Sequence, residues 1–146
     1  MKKFIFLYLL MFLSLQFAVA ASPDAGVAWE KDLNTALQIS KGHRQLVLVD
    51  FYAEWCAPCK KMEKETYTDP RVILGLKKYI PVKIDIEKDQ ASAKKYDGNA
   101  ARYSGKGIPA TMIMDGNGTV LAKVNGYLSA EKLIALLESV ETKPGL

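Results

Sequence analysis

Leu46-Val47-Leu48-Val49-Asp50-Phe51-Tyr52 is an almost unbroken apolar run, rich in strand formers. A strand with one wet face alternates apolar and polar residues, and a strand covered on both faces has no need to. The run therefore predicts a central strand buried on both faces, which makes an α/β sandwich the expected architecture. Its one acid, Asp50, stands out. An ionised carboxylate is costly in such surroundings, so its pKa should rise. The other placement open to Asp50 is an exposed strand end.

The flanking patterns fill in the rest. Trp29, Leu33, Ala36 and Leu37 recur at helical spacing before Gly42, which predicts an amphipathic helix over residues 28–41. Residues 57–66 read as a helix with Pro58 in its first turn, where the missing N–H costs nothing. Asp69-Pro70 starts another, with Ile73, Leu76 and Ile80 as its apolar face and Lys77 and Lys78 in solvent. Val82, Ile84 and Ile86 alternate with Lys83, Asp85 and Glu87, as in a half-exposed strand. Residues 89–103 suggest two short helical pieces around Asp97-Gly98-Asn99. Thr111–Met114 and Thr119–Val124 flank Asp115-Gly116-Asn117-Gly118, a hairpin signal. Ser129 then caps a helix with Leu133, Leu136, Leu137 and Val140 inside. This order predicts a central mixed sheet flanked by helices on both faces.

The 146 residues suit one domain, and 49% hydrophobic with 25% charged residues excludes a disordered chain. A basic Met1-Lys2-Lys3, an apolar stretch from Phe4 to Leu13 and Ala18-Val19-Ala20 together describe a signal peptide over residues 1–20. An uncleaved anchor needs about 20 apolar residues, and Ser14 and Gln16 interrupt the run. A flexible segment is expected at 21–26 and a single domain at 27–142. Loss of Lys2 and Lys3 from 20 basic residues leaves 18 against 16 acidic. The lysine pairs that remain are dispersed, so no concentrated basic patch calls for nucleic acid. Export places the thiols where disulfides persist.

Both cysteines lie in Trp55-Cys56-Ala57-Pro58-Cys59-Lys60, between the buried strand and a helix start. Unpaired backbone N–H groups and the helix dipole favour a thiolate at Cys56. Cys59 lies about one turn away on the same face, so Cys56 can attack and Cys59 resolve within one exposed loop. A zinc site needs about four ligands, and only these two cysteines and the distant His43, read as structural, are available. Haem attachment needs His where Lys60 stands. No metal is expected, and the redox group is the cysteine pair itself, without further cofactor.

From Val47 to Lys60 the chain resembles the strand and active-site helix of the thioredoxin family. Gly107-Ile108-Pro109 looks like that family's cis-proline loop and Val124-Asn125-Gly126 like its groove glycine. Glu65-Thr66-Tyr67-Thr68-Asp69-Pro70-Arg71-Val72 is similar to the C-terminal periplasmic domain of DsbD-type thiol:disulfide interchange proteins. The resemblance implies a thioredoxin fold in which Asp50 passes protons to and from Cys59, with Lys83 near that acid. It also implies a substrate groove of Trp55, Pro58, Ile108, Pro109 and Gly126. A trans proline at a strand start, and a Lys83 in solvent, are the alternatives the residues leave open. Two departures are the long polar segment 88–99 and Ser104-Gly105-Lys106 before the proline loop.

The expected activity is reduction or exchange of disulfides in exported proteins, from a monomer re-reduced by a membrane thiol donor. Ala57-Pro58 places no basic group between the cysteines, which favours a reducing role. The rivals are an oxidant of secreted proteins and a non-catalytic Cu(I) carrier. Met62, Met112 and Met114 give the carrier little support, since they read as core or helix positions.

Overall fold

A computed structural model describes residues 26–97 and 107–141. The leader, residues 21–25, the second helical piece through residue 103, Ser104-Gly105-Lys106 and Thr142 lie outside the described residues. Strands β1 (Leu46–Tyr52), β2 (Tyr79–Asp85), β3 (Ala110–Met114) and β4 (Val120–Asn125) form one sheet in the order β2-β1-β3-β4. β1 runs parallel to β2 and antiparallel to β3, and β3 and β4 form an antiparallel hairpin. The sheet is mixed, as expected. Helices α1 (Leu33–His43), α2 (Ala57–Glu65), α3 (Pro70–Leu76) and α5 (Ala130–Glu141) cover it, with a short α4 (Gln90–Ser92) passing into a π-helical turn over Ala93–Asp97.

β1 is the strand its composition predicts. Val47, Leu48, Val49 and Phe51 are fully buried. Strand alternation sends Val47, Val49 and Phe51 to one face, where they meet Leu33 and Ala36 of α1 and Met112 and Met114 of β3. Leu48 points the other way, into a cluster with Met62, Val72, Ile113, Leu133 and Leu137 from α2, α3, β3 and α5. Met62, Met112 and Met114 are thus core, as read. Cys56 and Cys59 belong to the first cluster and Met62 to the second, so α2 is seated on both. Its far end is tied down where the Thr66 hydroxyl donates to the Leu128 carbonyl at 2.6 Å.

Three boundaries differ from expectation, each through non-local pairing. The first helix begins at Leu33, where the Asp32 carboxylate caps the Thr35 amide at 2.6 Å. Trp29 and Glu30 instead run beside β2: the Glu30 amide donates to Pro81 at 2.8 Å, and Glu30 accepts from the Lys83 amide at 3.0 Å. Gly42 does not end the helix, which continues to His43 and closes on Arg44 in the left-handed region at φ 56°. His43 therefore stands in the last helical turn. Ile80 belongs to β2, paired with Val47, and not to the face of α3, which buries Val72 and Leu76. β2 is also more buried than a half-exposed strand, with only Pro81 and Lys83 partly open.

The hairpin turns as its sequence suggests. Asp115 Oδ1 accepts from the amides of Asn117 and Thr119 at 2.8 and 2.9 Å. Gly118 sits at φ +80°, and a Cβ there would lie 2.6 Å from the Tyr96 hydroxyl. In α5, Leu133, Leu137 and Val140 are buried, Leu136 only partly, and the Ser129 hydroxyl accepts from the Lys132 amide at 3.4 Å. Among the described residues no helix is long and apolar enough to cross a membrane.

Leu133 is fully buried at the centre of the second cluster. Leu133→Ala is expected to lower the unfolding free energy by about 2–5 kcal/mol, measured by urea denaturation, through lost burial and the cavity left behind.

Candidate functional site

The site forms where β1 ends and α2 begins. Cys56 is the N-cap of α2: its Sγ accepts from the Cys59 amide at 3.3 Å, and Pro58 occupies the first turn. Cys56 and Cys59 are joined in a disulfide with Cα atoms 5.3 Å apart. The spacing that suggested the pair thus has a structural cause, since Pro58 fits only a first turn and fixes both cysteines at the helix start.

The pair is less open than a surface loop implies. Cys56 is 3% and Cys59 6% exposed, because both sulfurs pack into the first apolar cluster. Exposed residues surround them instead. Trp55 is 52% exposed, and its indole Nε1 donates to Glu87 Oε1 at 3.0 Å. Pro58 is exposed as well.

Ile108-Pro109 is a cis peptide, and both residues are buried. The Gly126 amide donates to the Pro109 carbonyl at 2.7 Å, which joins the two loops named from the sequence. Gly126 has φ +93°, a conformation that favours glycine, and beyond its chain neighbours no described residue lies within 4 Å of a Cβ built there.

Asp50 is buried, not at an exposed strand end. It is 2% exposed and pairs with Lys83 across β2 and Thr111 across β3. Burial pushes its carboxyl up to about 7. Lys83 and the Tyr67 hydroxyl pull it down, and Glu63 adds to the rise. Lys83 turns inward: its ammonium meets Glu63 Oε1 at 2.8 Å and lies 4.8 Å from the centre of the Tyr52 ring, with its side chain 14% exposed. A cleft of about 220 Å³ is lined by Tyr52, Ala53, Cys59, Glu63 and Lys83, so the Lys83–Glu63 pair and the second cysteine share one opening.

Glu63, Tyr67, Thr111 and Glu87 were not singled out from the sequence. Glu63 had a readable signal, since it follows Cys59 by four residues and so shares its helix face. The others reach the site through long-range packing and carry no local signal.

The thioredoxin-like domain family matches residues 33–141. The thiol:disulfide interchange protein DsbD of Ralstonia nicotianae is 32% identical over 127 residues, covering 82% of this chain and 20% of that protein. DsbD of Pectobacterium atrosepticum is 31% identical over 123 residues, covering 83% of this chain and again 20% of the relative. The chain thus spans about a fifth of the length of these curated relatives. Among solved structures, the oxidised C-terminal domain of Neisseria meningitidis DsbD superposes with a TM-score of 0.58 at 26% identity, over 77% of this chain and 98% of that one. A thioredoxin from Thermus thermophilus gives a TM-score of 0.65 at 21% identity over 83% and 92%, a likeness of fold.

A carboxyl raised from 3.8 to about 7 by folding makes stability depend on pH. The folded state binds the proton more tightly, so this stabilisation is complete below the unfolded value and is lost as pH rises through the folded one. Asp50→Asn, which has no charge to bury, is expected to be more stable than wild type by about 2–4 kcal/mol at pH 8. The advantage should shrink toward pH 4, as read by urea denaturation of the oxidised proteins at both pH values.

Proposed function

The chain belongs to the thioredoxin-like family, and on that premise we propose that it is an exported thiol:disulfide oxidoreductase, reducing or exchanging disulfides in extracytoplasmic proteins. The observation that carries the reading is a disulfide-linked pair at a helix N-terminus, sharing a cleft with a lysine–glutamate pair that acts on a buried acid.

In the reduced protein, the Cys56 thiolate attacks one sulfur of a substrate disulfide. The substrate S–S bond breaks, a mixed disulfide forms, and the other substrate sulfur leaves as a thiolate that takes up a proton. Asp50, ionised, accepts the proton of the Cys59 thiol. Cys59 then attacks Cys56 Sγ, the mixed disulfide breaks, and the second substrate thiol departs. Two electrons have passed to the substrate, and the protein is left with its Cys56–Cys59 bond.

Asp50 suits this task because a group titrating near 7 can both take and return a proton in a neutral compartment. Lys83 serves by moderating the field at that carboxyl. Trp55, Pro58, Ile108, Pro109 and Gly126 form the substrate groove, in which a peptide lies alongside the backbone of the cis-proline loop. Among the described residues none beyond its chain neighbours crowds Gly126, which supports that placement.

The leader-like residues 1–20 and the DsbD relatives support a periplasmic or other extracytoplasmic site of action. There the oxidised protein is re-reduced by a membrane thiol carrier, and it works as a monomer with the cysteine pair as its sole redox group.

Wild type should reduce insulin disulfides, and Cys56→Ser should fall to the uncatalysed rate. The Cys56–Cys59 couple should equilibrate with glutathione at a potential nearer about −270 mV than about −120 mV. A value at or above about −150 mV would instead assign an oxidant. Cys59→Ser should accumulate mixed disulfides, among them one with a membrane protein.

A further inference from the structure

The α2–α3–α5 face of the sheet receives two polar side chains at one point. Asp50 and Thr111 are direct partners across β1 and β3. Their strand neighbours Leu48 and Ile113 place them on that face. Tyr67 reaches the same point from the turn after α2, where its amide donates to the Met62 carbonyl at 3.0 Å. Its ring stands edge-on to Trp29, with centroids 4.8 Å apart. Asp50 is 2%, Tyr67 5% and Thr111 0% exposed.

Asp50 Oδ1, the Tyr67 hydroxyl and the Thr111 hydroxyl are also the buried side-chain polar atoms that have no hydrogen-bond partner among the described residues. Stranding polar atoms in a core is destabilising, and natural folds avoid it. Phe at 67 and Val at 111 would fill nearly the same space with nothing to strand. Stability alone therefore gives no reason for two hydroxyls here, and Tyr67 acts on the one carboxyl that the mechanism requires to change its charge while Thr111 acts on Tyr67.

A hydroxyl suits that neighbour because it can turn, donating to a carboxylate and accepting from a carboxylic acid. Each atom stops short of a full hydrogen bond in the disulfide form. The Tyr67 hydroxyl is nonetheless close enough to favour the ionised carboxyl, and Thr111 is close enough to favour the ionised form of Tyr67. Burial beside Asp50 holds the Tyr67 phenol well above its usual range, so it keeps its own proton throughout. The other charged groups acting on the carboxyl are Lys83 from β2 and Glu63 from α2, of opposite sign and paired at 2.8 Å. The Cys59 thiol joins them on reduction.

We propose that Tyr67 and Thr111 are positioning residues for the Asp50 proton. Tyr67 donates to the ionised carboxylate before it takes up the Cys59 proton and turns to accept from the acid afterwards, and Thr111 orients the Tyr67 hydroxyl. Together they set the pH at which Asp50 can accept the proton of Cys59. The proposal rests on the reading of Asp50 as that acceptor. One proton moves, from Cys59 Sγ to Asp50, and the hydroxyls only redirect theirs.

The test follows Asp50 directly, by carboxyl ¹³C NMR titration of the reduced protein, beside the pH dependence of kcat for insulin reduction. The rate should rise with pH as Asp50 ionises. Tyr67→Phe removes a donor to the charged form, so the carboxyl midpoint and the rate limb should both move up by about 0.5–1 pH unit. Thr111→Val should move both the same way by less, and Thr111→Ser should restore wild type. An unmoved Asp50 midpoint in folded Tyr67→Phe, or in Thr111→Val if the first variant does not fold, overturns the proposal alone. A midpoint that moves while the rate limb stays in place overturns the acceptor role of Asp50 and this proposal with it.

Discussion

Burial of the Asp50 carboxyl inside β1 makes two demands that pull against each other. β1 must be covered on both faces to be the centre of the sheet, and a covered strand is a poor place for a charge. The fold meets this by surrounding the carboxyl with adjustable groups. Lys83 and Glu63 offset one another from β2 and α2, and Tyr67 brings a hydroxyl from the turn beyond. The acid is left balanced between its two protonation states, neither locked as an ion pair nor plainly neutral.

That balance depends on the same strand pairing that builds the core. Lys83 and Thr111 face Asp50 because β2 and β3 pair with β1 in the observed register. A slip by one residue would turn every side chain to the opposite face and replace these polar neighbours by apolar ones. The cysteines depend on it in turn, since α2 leaves directly from the end of β1 and starts at Cys56. Stability and chemistry therefore share one determinant, and a change in β1 packing should be felt in both.

Much of this was legible in order of locality. The unbroken run of β1, Pro58 at the start of α2, Asp69-Pro70 at the start of α3 and the Asp115–Gly118 turn all carry their reasons within a few residues. Trp29 and Ile80 do not. Both fit a helical period, yet each lies in extended chain, because pairing along β2 satisfies the backbone better than extending a helix would. The site divides the same way. Cys56, Cys59 and the cis-proline loop were recognisable as motifs, whereas Tyr67 and Thr111 sit 17 and 61 residues after Asp50 in the chain and meet it only when the sheet closes. The shielding of the cysteines was hidden for a similar reason, as it comes from core contacts and not from the loop that bears them.

The seating of α2 on both apolar clusters limits how this protein can signal its oxidation state. With Cys59 packed in the first apolar cluster, Met62 in the second and Thr66 bound to Leu128, the helix has no free end about which to swing. Making or breaking the sulfur–sulfur bond must be absorbed within its first turn. The two redox forms then keep nearly the same outline, and what separates them is the state of the sulfurs and not a change of shape. On the proposed function, electron donor and electron acceptor can accordingly share one docking face and take turns on it.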